Sequence, residues 1–549
     1  MRFENVRIVE RHVNTSRWIP QVVRGAAASR VVRYAAAALV AVVVGLLWQR
    51  PGLFAALNIY DEGIILFGAS RIMRGELPYR DFWTQYSPGQ YYVLAGLFSI
   101  VGKSVLAARW WDILTRALLA LAFAALAART AGTRSALPVW GMSLIWFTFY
   151  GFFSYPIFQG LLFSAACLWA FLRGREDVRW SLVAGALFGV AFAFRHDMAA
   201  YLGVSLAVMR IVEGAFARER LVDWLRSWGR FVVGAAAIVV PVTAFFAVQV
   251  NLHELATQLL IFPLTEFPRV RDLPYPAFTG AVDRLPFYAP FVVYGLSVSA
   301  AIFELARPVD RTSRARALAM LAVALFGLFG FNQARVRSDL IHTVHFFMLS
   351  LPLLPALWRI AQRFGRLTQW ITGMVIITLI AALLIEPLDR WFTVRDRSAA
   401  REALAARSRK GPQAAWGLPI EDWQLNVYLA STFYLKPGEP IYFGLKNHDK
   451  VFANDVMSYF LVDRPAVSRY HEMHPGLIET EPVQREIVRE LERAKPPMLF
   501  LTSMFEGAQE PNDANKSSGV EILDDYIREH YILYGSSGPY EIMRRRKGM

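Results

Sequence analysis

Long apolar runs, separated by short segments that contain arginine, fill the first 386 residues of the chain. Apolar runs of about 17 to 25 residues are long enough to cross a bilayer as helices. The pattern predicts about eleven membrane-spanning helices and thus a polytopic α-helical membrane protein. Their approximate bounds are 31–49, 107–128, 136–153, 157–172, 181–194, 198–212, 231–250, 286–305, 317–332, 341–358 and 367–385.

From residue 387 onward the apolar runs shorten and charged residues return. Thr480 is a good N-cap for a further helix, because Val483 and later apolar residues would share one face of it. Strands and helices therefore alternate, which predicts a soluble C-terminal α/β domain over 387–549, after a membrane domain over 31–386. The other predicted elements are strands at 441–445, 498–502 and 540–543 and helices at 455–461 and 523–530.

Composition supports the membrane prediction, and the positions of the arginines predict the orientation of the protein in the membrane. Hydrophobic residues make up 55% of the chain and charged residues 19%, whereas soluble domains average roughly 25% charged residues. The net charge of +15 comes largely from arginine clusters between apolar runs, which is typical of cytoplasmic loops and argues against a nucleic-acid partner. Six arginines place the segment 1–30 in the cytoplasm. An odd number of crossings then exports the C-terminal domain, and a miscount of one helix would reverse this.

Cysteine usage and the N-terminal run exclude two further possibilities. The single cysteine, Cys167, lies in an apolar run, so we expect neither an intrachain disulfide nor a cysteine-based metal cluster. A cleaved signal peptide is the alternative interpretation of the first apolar run, but the basic head before it is long for one.

The first outer loop, 51–104, is the most unusual connection in the chain, and it carries the adjacent acids Asp61 and Glu62. A carboxylate at the water boundary is partly desolvated, which raises its pKa and suits it to act as a general base. The alternative is that both carboxylates stabilise the first turn of a following helix, where anions are favoured.

Two more groups of ionisable residues lie at outer turns by this topology. Ionisable groups at membrane depth usually face a cavity or a partner, so each group either binds substrate or pairs internally, as Arg195 could with Asp197. Arg109, Asp112 and Arg116 share one helical face, and we expect them to neutralise one another. The outer groups are Arg195, His196 and Asp197 in one turn, and Arg335, Arg337, Asp339, His342 and His345 in the other.

Several sequence segments resemble a known family. The acidic pair, "GELPYRDFW" (75–83), "YSPGQYY" (86–92) and "GKSVLAARWWDIL" (102–114) resemble the bacterial branch of the GT-C glycosyltransferases, related to protein O-mannosyltransferases and lipid A aminoarabinose transferases. Arg337, Asp339 and His342 resemble an R-x-D-x-x-H element of some of these enzymes. In the tail, "SRYHEMHPG" (468–476) and "EPVQREIVRELE" (481–492) look like the extracytoplasmic domains appended to them.

One segment departs from the family pattern. Tyr86-Ser87-Pro88-Gly89 stands where many relatives have a paired-proline segment with a histidine. The donor contacts made there in the family therefore do not carry over to this chain.

The resemblance implies a membrane glycosyltransferase that moves a sugar from a polyprenyl-phosphate donor to an acceptor hydroxyl of a lipid, polysaccharide or protein. The reaction would occur on the outer face of a bacterial inner membrane, in one inverting step. Asp61 would be the base and Glu62 would orient it or raise its pKa. The expected substrate-binding residues are Tyr86, Arg195, His196, Arg337, Asp339 and His342.

Cofactors and other functions complete the expectations. No metal or other cofactor is predicted. The alternatives are a metal site formed by Asp339, His342 and His345, and a single divalent cation held by Asp61. The alternatives are a transporter or lipid flippase, and a structural envelope-assembly protein that recruits partners through its C-terminal domain. A transporter would carry charges through the depth of its helices and repeat its topology, and the sequence displays neither feature.

Overall fold

The computed structural model describes residues 18–148, 153–217, 220–276, 281–396 and 411–548. Up to residue 396 these residues form helices joined by short turns. The helices are α1 (Trp18–Gln49), α2 (Asp61–Met73), α3 (Gly89–Val101), α4 (Val105–Ala131), α5 (Ala136–Thr148), α6 (Ile157–Arg173), α7 (Arg179–Phe194), α8 (His196–Ala217), α9 (Leu221–Gln249), α10 (Leu252–Ala256), α11 (Phe262–Leu264), α12 (Glu266–Arg271), α13 (Ala281–Ala306), α14 (Arg311–Gly330), α15 (Leu340–Phe347), α16 (Leu354–Ala361) and α17 (Arg366–Asp396).

Six of the described helices, α1, α4, α8, α9, α13 and α14, are long and apolar enough to cross a membrane. The chain is thus a multi-pass membrane protein. Shorter apolar helices lie where other spans were expected, at α6, α7, α16 and the first half of α17. The count of about eleven spans stays a prediction.

Local sequence explains how several of these helices begin and pack. Asp310 and Ser313 form a reciprocal capping box at the start of α14, which satisfies free backbone N–H groups there. Helices α7 and α9 approach closely because both contain glycine at the contact. A Cβ on Gly185 would lie 1.9 Å from the carbonyl oxygen of Phe231, and one on Gly234 would lie 2.2 Å from that of Leu182. Small residues at helix crossings are typical of membrane proteins.

The last 138 described residues, 411–548, form an α/β unit. Its strands are β1 (Tyr442–Leu445), β2 (Met498–Thr502), β3 (Tyr531–Ser537) and β4 (Tyr540–Arg545), in the sheet order β1-β2-β4-β3. The first pair is parallel and the other two are antiparallel. The helices are α18 (Asp422–Tyr434), α19 (Met457–Val462), α20 (Glu481–Ala494) and α21 (Ile522–His530).

The first outer loop and the C-terminal unit share one hydrophobic core. Ile65 and Phe67 of α2 pack in the same buried cluster as Phe443 of β1 and Phe460 of α19. A Cβ on Gly63 would lie 2.4 Å from the backbone nitrogen of Met457, so the two parts touch backbone to backbone. The outer loop and the C-terminal unit therefore lie on the same side of the membrane domain.

Candidate active site

Asp61 is the first residue of α2, but Asn58 does the capping of that helix. The Asn58 Oδ1 accepts hydrogen bonds from the backbone N–H groups of Tyr60 (3.1 Å) and Asp61 (2.9 Å). Within the described residues, the Asp61 carboxylate accepts one hydrogen bond, from Asn58 Nδ2 at 3.2 Å. Asp61 is half-buried. It therefore keeps a carboxylate oxygen available for a ligand.

Basic groups from three distant parts of the chain surround this carboxylate. Burial raises the pKa of Asp61 above its usual value, while His342, Arg271, His474 and the Asn58 hydrogen bond pull it back towards that value. The net shift is upward. Asp61 is thus a carboxylate of increased basicity among basic groups, as expected of a general base beside an anion site.

Three tyrosines, Tyr60, Tyr86 and Tyr155, lie within electrostatic reach of Asp61. The Tyr86 and Tyr155 rings meet edge to face at 5.6 Å, and Arg195 lies over the Tyr155 ring at 5.6 Å. Burial raises the pKa of Tyr60 and of Tyr86 well above the usual value, and the Asp61 charge adds to both shifts. These phenols therefore stay protonated and offer hydrogen bonds around Asp61.

Glu62 points away from Asp61 and makes a buried ion pair. Both of its oxygens accept hydrogen bonds at 2.8 Å from Arg109 of α4, and both side chains are fully buried. Arg109 also donates to the backbone carbonyls of Leu53 and Ala55, each at 2.7 Å. The expectation that Arg109 pairs with Asp112 was wrong, because α2 brings a second carboxylate within reach of the guanidinium.

The turn between α7 and α8 places Arg195 beside Tyr155. It directs His196 towards Ser87 and Leu259. Arg195 pairs with Asp197 at 2.9 and 2.5 Å, yet its Nη1 is buried and has no hydrogen-bond partner within the described residues. Both ring nitrogens of His196 are occupied, by Ser87 Oγ (2.8 Å) and by the Leu259 carbonyl (2.9 Å). His196 therefore holds the 86–89 segment in place.

The second predicted cluster assembles around a carboxylate of the C-terminal unit. Arg337 Nη1 donates to Glu510 at 2.5 Å, and its Nη2 lies 3.5 Å from Asp339. Asp339 accepts from the backbone N–H of His342 (3.0 Å) and contacts its Nδ1 (2.8 Å). Arg271 Nη1 is 3.6 Å from Glu510, and this nitrogen is buried without a hydrogen bond to a described residue.

The structure thus brings Asp61, Tyr86, Arg195 and His342 close to one another, with Arg337 and Asp339 in the adjoining cluster. Sequence reasoning did not select the other residues of the site. "SRYHEMHPG" was noticed as a family-like segment, which is the only signal that pointed to two of them. The missed residues are Tyr60, Tyr155, Arg271, Glu472, His474 and Glu510.

In the part of the chain that the structure describes, no set of side chains forms a ready-made metal site. No group of three or more His, Cys, Asp or Glu side chains is arranged to hold an ion there. A divalent cation at Asp61 would therefore have one carboxylate to bind it.

Comparison with known proteins identifies the fold. No family model matches the chain, and no curated protein matches its sequence. The apo crystal structure of ArnT from Cupriavidus metallidurans is similar, with a TM-score of 0.54 at 14% identity, over 94% of this chain and 98% of that one. The same protein bound to undecaprenyl phosphate gives 0.51 at 13% identity, over 95% and 98%.

A third similar structure is the oligosaccharyltransferase of Archaeoglobus fulgidus tethered with an acceptor peptide. Its TM-score is 0.49 at 11% identity, over 93% of this chain and 74% of that one. The two ArnT structures span nearly the full length of both chains. The chain therefore shares the fold of ArnT over nearly its full length, as the sequence segments indicated.

Proposed function

We propose that the protein is an integral membrane glycosyltransferase that moves a sugar from a polyprenyl-phosphate donor to an acceptor hydroxyl. The observation that carries the proposal is Asp61, a half-buried carboxylate with a raised pKa that faces Arg271, His342 and His474. The fold supports the donor class, because ArnT, which shares it, has been crystallised with undecaprenyl phosphate.

In the proposed reaction Asp61 takes the proton of the acceptor hydroxyl as that oxygen attacks the anomeric carbon. The bond between the anomeric carbon and the phosphate oxygen breaks in the same step, and the electron pair leaves with the polyprenyl phosphate. The sugar is transferred with inversion, because attack and departure occur on opposite faces. General-base assistance of this kind contributes about 10² to 10⁴-fold in rate.

Unsatisfied arginine nitrogens support a phosphate site beside Asp61. Arg195 Nη1 and Arg271 Nη1 are both buried, and neither donates to a described residue. Buried donors without partners are rare in native proteins, and phosphate oxygens match the guanidinium fork. Arg337 and His342 would add positive charge, with Asp339 orienting His342 through its ring nitrogen.

The remaining predicted residues take supporting roles in this proposal. Glu62 fixes the start of α2 through Arg109, so it orients Asp61 indirectly. His196 fixes the segment that carries Tyr86 through its contact with Ser87. Tyr86 lies within electrostatic reach of Asp61 and would contact the sugar.

We infer that the reaction takes place on the outer face of a bacterial inner membrane. The arginine-rich connections between helices would then be cytoplasmic, as would the segment 1–30. The C-terminal unit, 411–548, would be extracytoplasmic, because it packs on the first outer loop.

The decisive experiment compares Asp61→Asn with the native protein in reconstituted vesicles supplied with polyprenyl-phosphate sugars. The variant should fold, bind donor, and lose sugar transfer by about 10² to 10⁴-fold. Asp463→Asn is the matched control, because Asp463 pairs with Arg74 on the exposed surface of the same shared-core region. Near-native turnover by Asp61→Asn, normalised to folded protein, would refute the general-base role. Mass spectrometry of envelope glycans with and without the protein would identify sugar and acceptor.

A further inference from the structure

Two consecutive hydrogen bonds connect the C-terminal unit to Tyr60, the residue before Asp61. The Tyr60 hydroxyl lies 2.9 Å from His474 Nδ1, and His474 Nε2 lies 2.8 Å from Glu472 Oε2. Glu472 is 1% exposed and His474 is 3% exposed. Both come from the segment 468–476, more than 400 residues after Tyr60. The arrangement therefore depends on the folding of the whole chain.

Contacts with three aromatic rings fix the imidazole of His474 in this position. Its ring lies 5.0 Å from the Trp83 ring, 6.1 Å from the Phe262 ring and 5.8 Å from the Tyr60 ring. The backbone beside Tyr60 is also held by the C-terminal unit, since Met457 donates its N–H to the Ile59 carbonyl at 2.9 Å. The C-terminal unit thus holds Tyr60 both at its hydroxyl and at the neighbouring backbone.

The Tyr60 hydroxyl still has capacity for a ligand. A phenol has one proton to donate and can accept other hydrogen bonds. When His474 Nδ1 donates to the Tyr60 oxygen, the Tyr60 O–H remains to donate to a ligand oxygen. Tyr60 is half-buried and directly precedes Asp61. Its hydroxyl is therefore a fixed polar group beside Asp61, and the proposed phosphate contacts do not use it.

We propose that the Tyr60 hydroxyl, held by the His474–Glu472 pair, donates a hydrogen bond to the acceptor oxygen, so that the acceptor's own proton is left for Asp61. Tyr60 would touch substrate, while His474 and Glu472 are positioning residues that act through it. This inference rests on the proposed function and adds the C-terminal unit to the acceptor side of the site.

Charge favours the acceptor over the donor phosphate at this position. Glu472 lies within electrostatic reach of Tyr60, and its Oε1 is buried with no hydrogen-bond partner within the described residues. A second anion beside that carboxylate would be repelled, whereas a neutral alcohol would not. The buried arginine nitrogens at Arg195 and Arg271 provide the better phosphate site.

The test is a double-mutant cycle in reconstituted vesicles with a saturating donor and varied acceptor. Tyr60→Phe should lower kcat/KM for the acceptor by about 3- to 10-fold, the loss of one neutral hydrogen bond, and leave the donor KM unchanged. His474→Gln should have a similar effect. The double variant should be no worse than Tyr60→Phe alone, because His474 acts only through Tyr60.

The chain contains a matched control for His474. His448 is equally buried in the same unit, with Nδ1 2.7 Å from Asp524 and Nε2 2.8 Å from the Tyr442 hydroxyl. His448→Gln should lower the melting temperature without changing the acceptor KM. If His474→Gln fails to fold, Glu472→Gln serves the same cycle.

Four outcomes separate this inference from the proposed function. Independent, multiplicative losses from Tyr60→Phe and His474→Gln would overturn it, as would an equal change of acceptor KM in His448→Gln. Normal acceptor kinetics in Tyr60→Phe, with Asp61→Asn inactive, would also overturn it while leaving the glycosyltransferase assignment intact. Full activity of Asp61→Asn would instead refute the proposed mechanism.

Discussion

The pKa of Asp61 gives the first prediction at the scale of single residues. A general base works only when deprotonated, so transfer should fall as the pH drops through the pKa of Asp61. Because burial raises that pKa, the acid limb should lie above the range of an ordinary aspartate, about 3.9. The measurement is kcat/KM against pH with the native protein.

Arg271 supplies the internal check on this pH profile. Its positive charge lowers the pKa of Asp61, so Arg271→Gln should shift the acid limb to higher pH. Arg269→Gln, on the same helix but paired with Glu266 on the surface, should leave the limb in place. Identical limbs in the native protein and Arg271→Gln would mean that another group controls the profile.

Glu62 and Arg109 give a prediction about stability. Glu62→Gln leaves a fully buried guanidinium without its counter-charge, which typically costs about 3 to 5 kcal/mol in free energy of unfolding. Glu481→Gln breaks an exposed pair with Arg485 and should cost at most about 0.5 kcal/mol. Denaturation of the two variants in detergent measures the contrast. Similar melting temperatures would contradict a stabilising ion pair between Glu62 and Arg109, and would leave Glu62 available for a role beside Asp61.

At the scale of helices, the contact between α7 and α9 leaves no room for a larger residue. A Cβ on Gly185 would overlap the Phe231 carbonyl, so Gly185→Ala should destabilise the protein by about 1 to 3 kcal/mol through forced backbone movement. A Cβ on Gly229 in α9 would meet no atom within 4 Å, so Gly229→Ala should be neutral or slightly stabilising. Thermal unfolding of both purified variants tests this, and equal stability would contradict the close packing.

Strands and helices with a clear apolar pattern were predictable, and those without it were not. The strand at 498–502 coincides with β2 (Met498–Thr502), which is buried throughout, and α20 begins directly after Thr480. The sequence pattern did not indicate β3, because Ile532, Leu533 and Tyr534 are all exposed and a register shift interrupts its pairing. Helix α18 was also missed, because it buries few of its residues and so lacks an apolar stripe.

At the scale of the whole molecule, the shared core makes a topology prediction that does not depend on counting helices. Lys516→Cys in the C-terminal unit and Arg80→Cys in the outer loop should both react with a membrane-impermeant thiol reagent in intact cells. Arg311→Cys should not, because it lies at the far end of α14, about 30 Å from the end near the site. Native Cys167 is buried and gives little background.

Permeabilised cells provide the control for this labelling, since all three cysteines should then react. Opposite behaviour of Arg80→Cys and Lys516→Cys would contradict the packing of the two parts. Labelling of Arg311→Cys alone in intact cells would reverse the proposed orientation and move the site to the cytoplasmic face.

The site was only partly predictable because its residues come from distant positions. Asp61 was identified from local sequence, as an acidic residue just outside an apolar run. Arg271 and His474 reach Asp61 through the packing of α12 and of the segment 468–476, and no local pattern reveals such proximity. The ionisable turns at 195–197 and 335–342 were predictable as clusters, but Glu510, the partner of Arg337 in the second turn, was not.

The core shared by α2 and the C-terminal unit determines when the protein becomes active during synthesis. Chains fold from the N-terminus as they emerge from the ribosome, yet Ile65 and Phe67 must wait for Phe443 and Phe460 before their core closes. Contacts of such long sequence separation form slowly. The turn that carries Asp61 therefore gains its final shape after the last helices have been inserted. If the proposed function holds, a nascent chain should transfer no sugar until its synthesis is nearly complete.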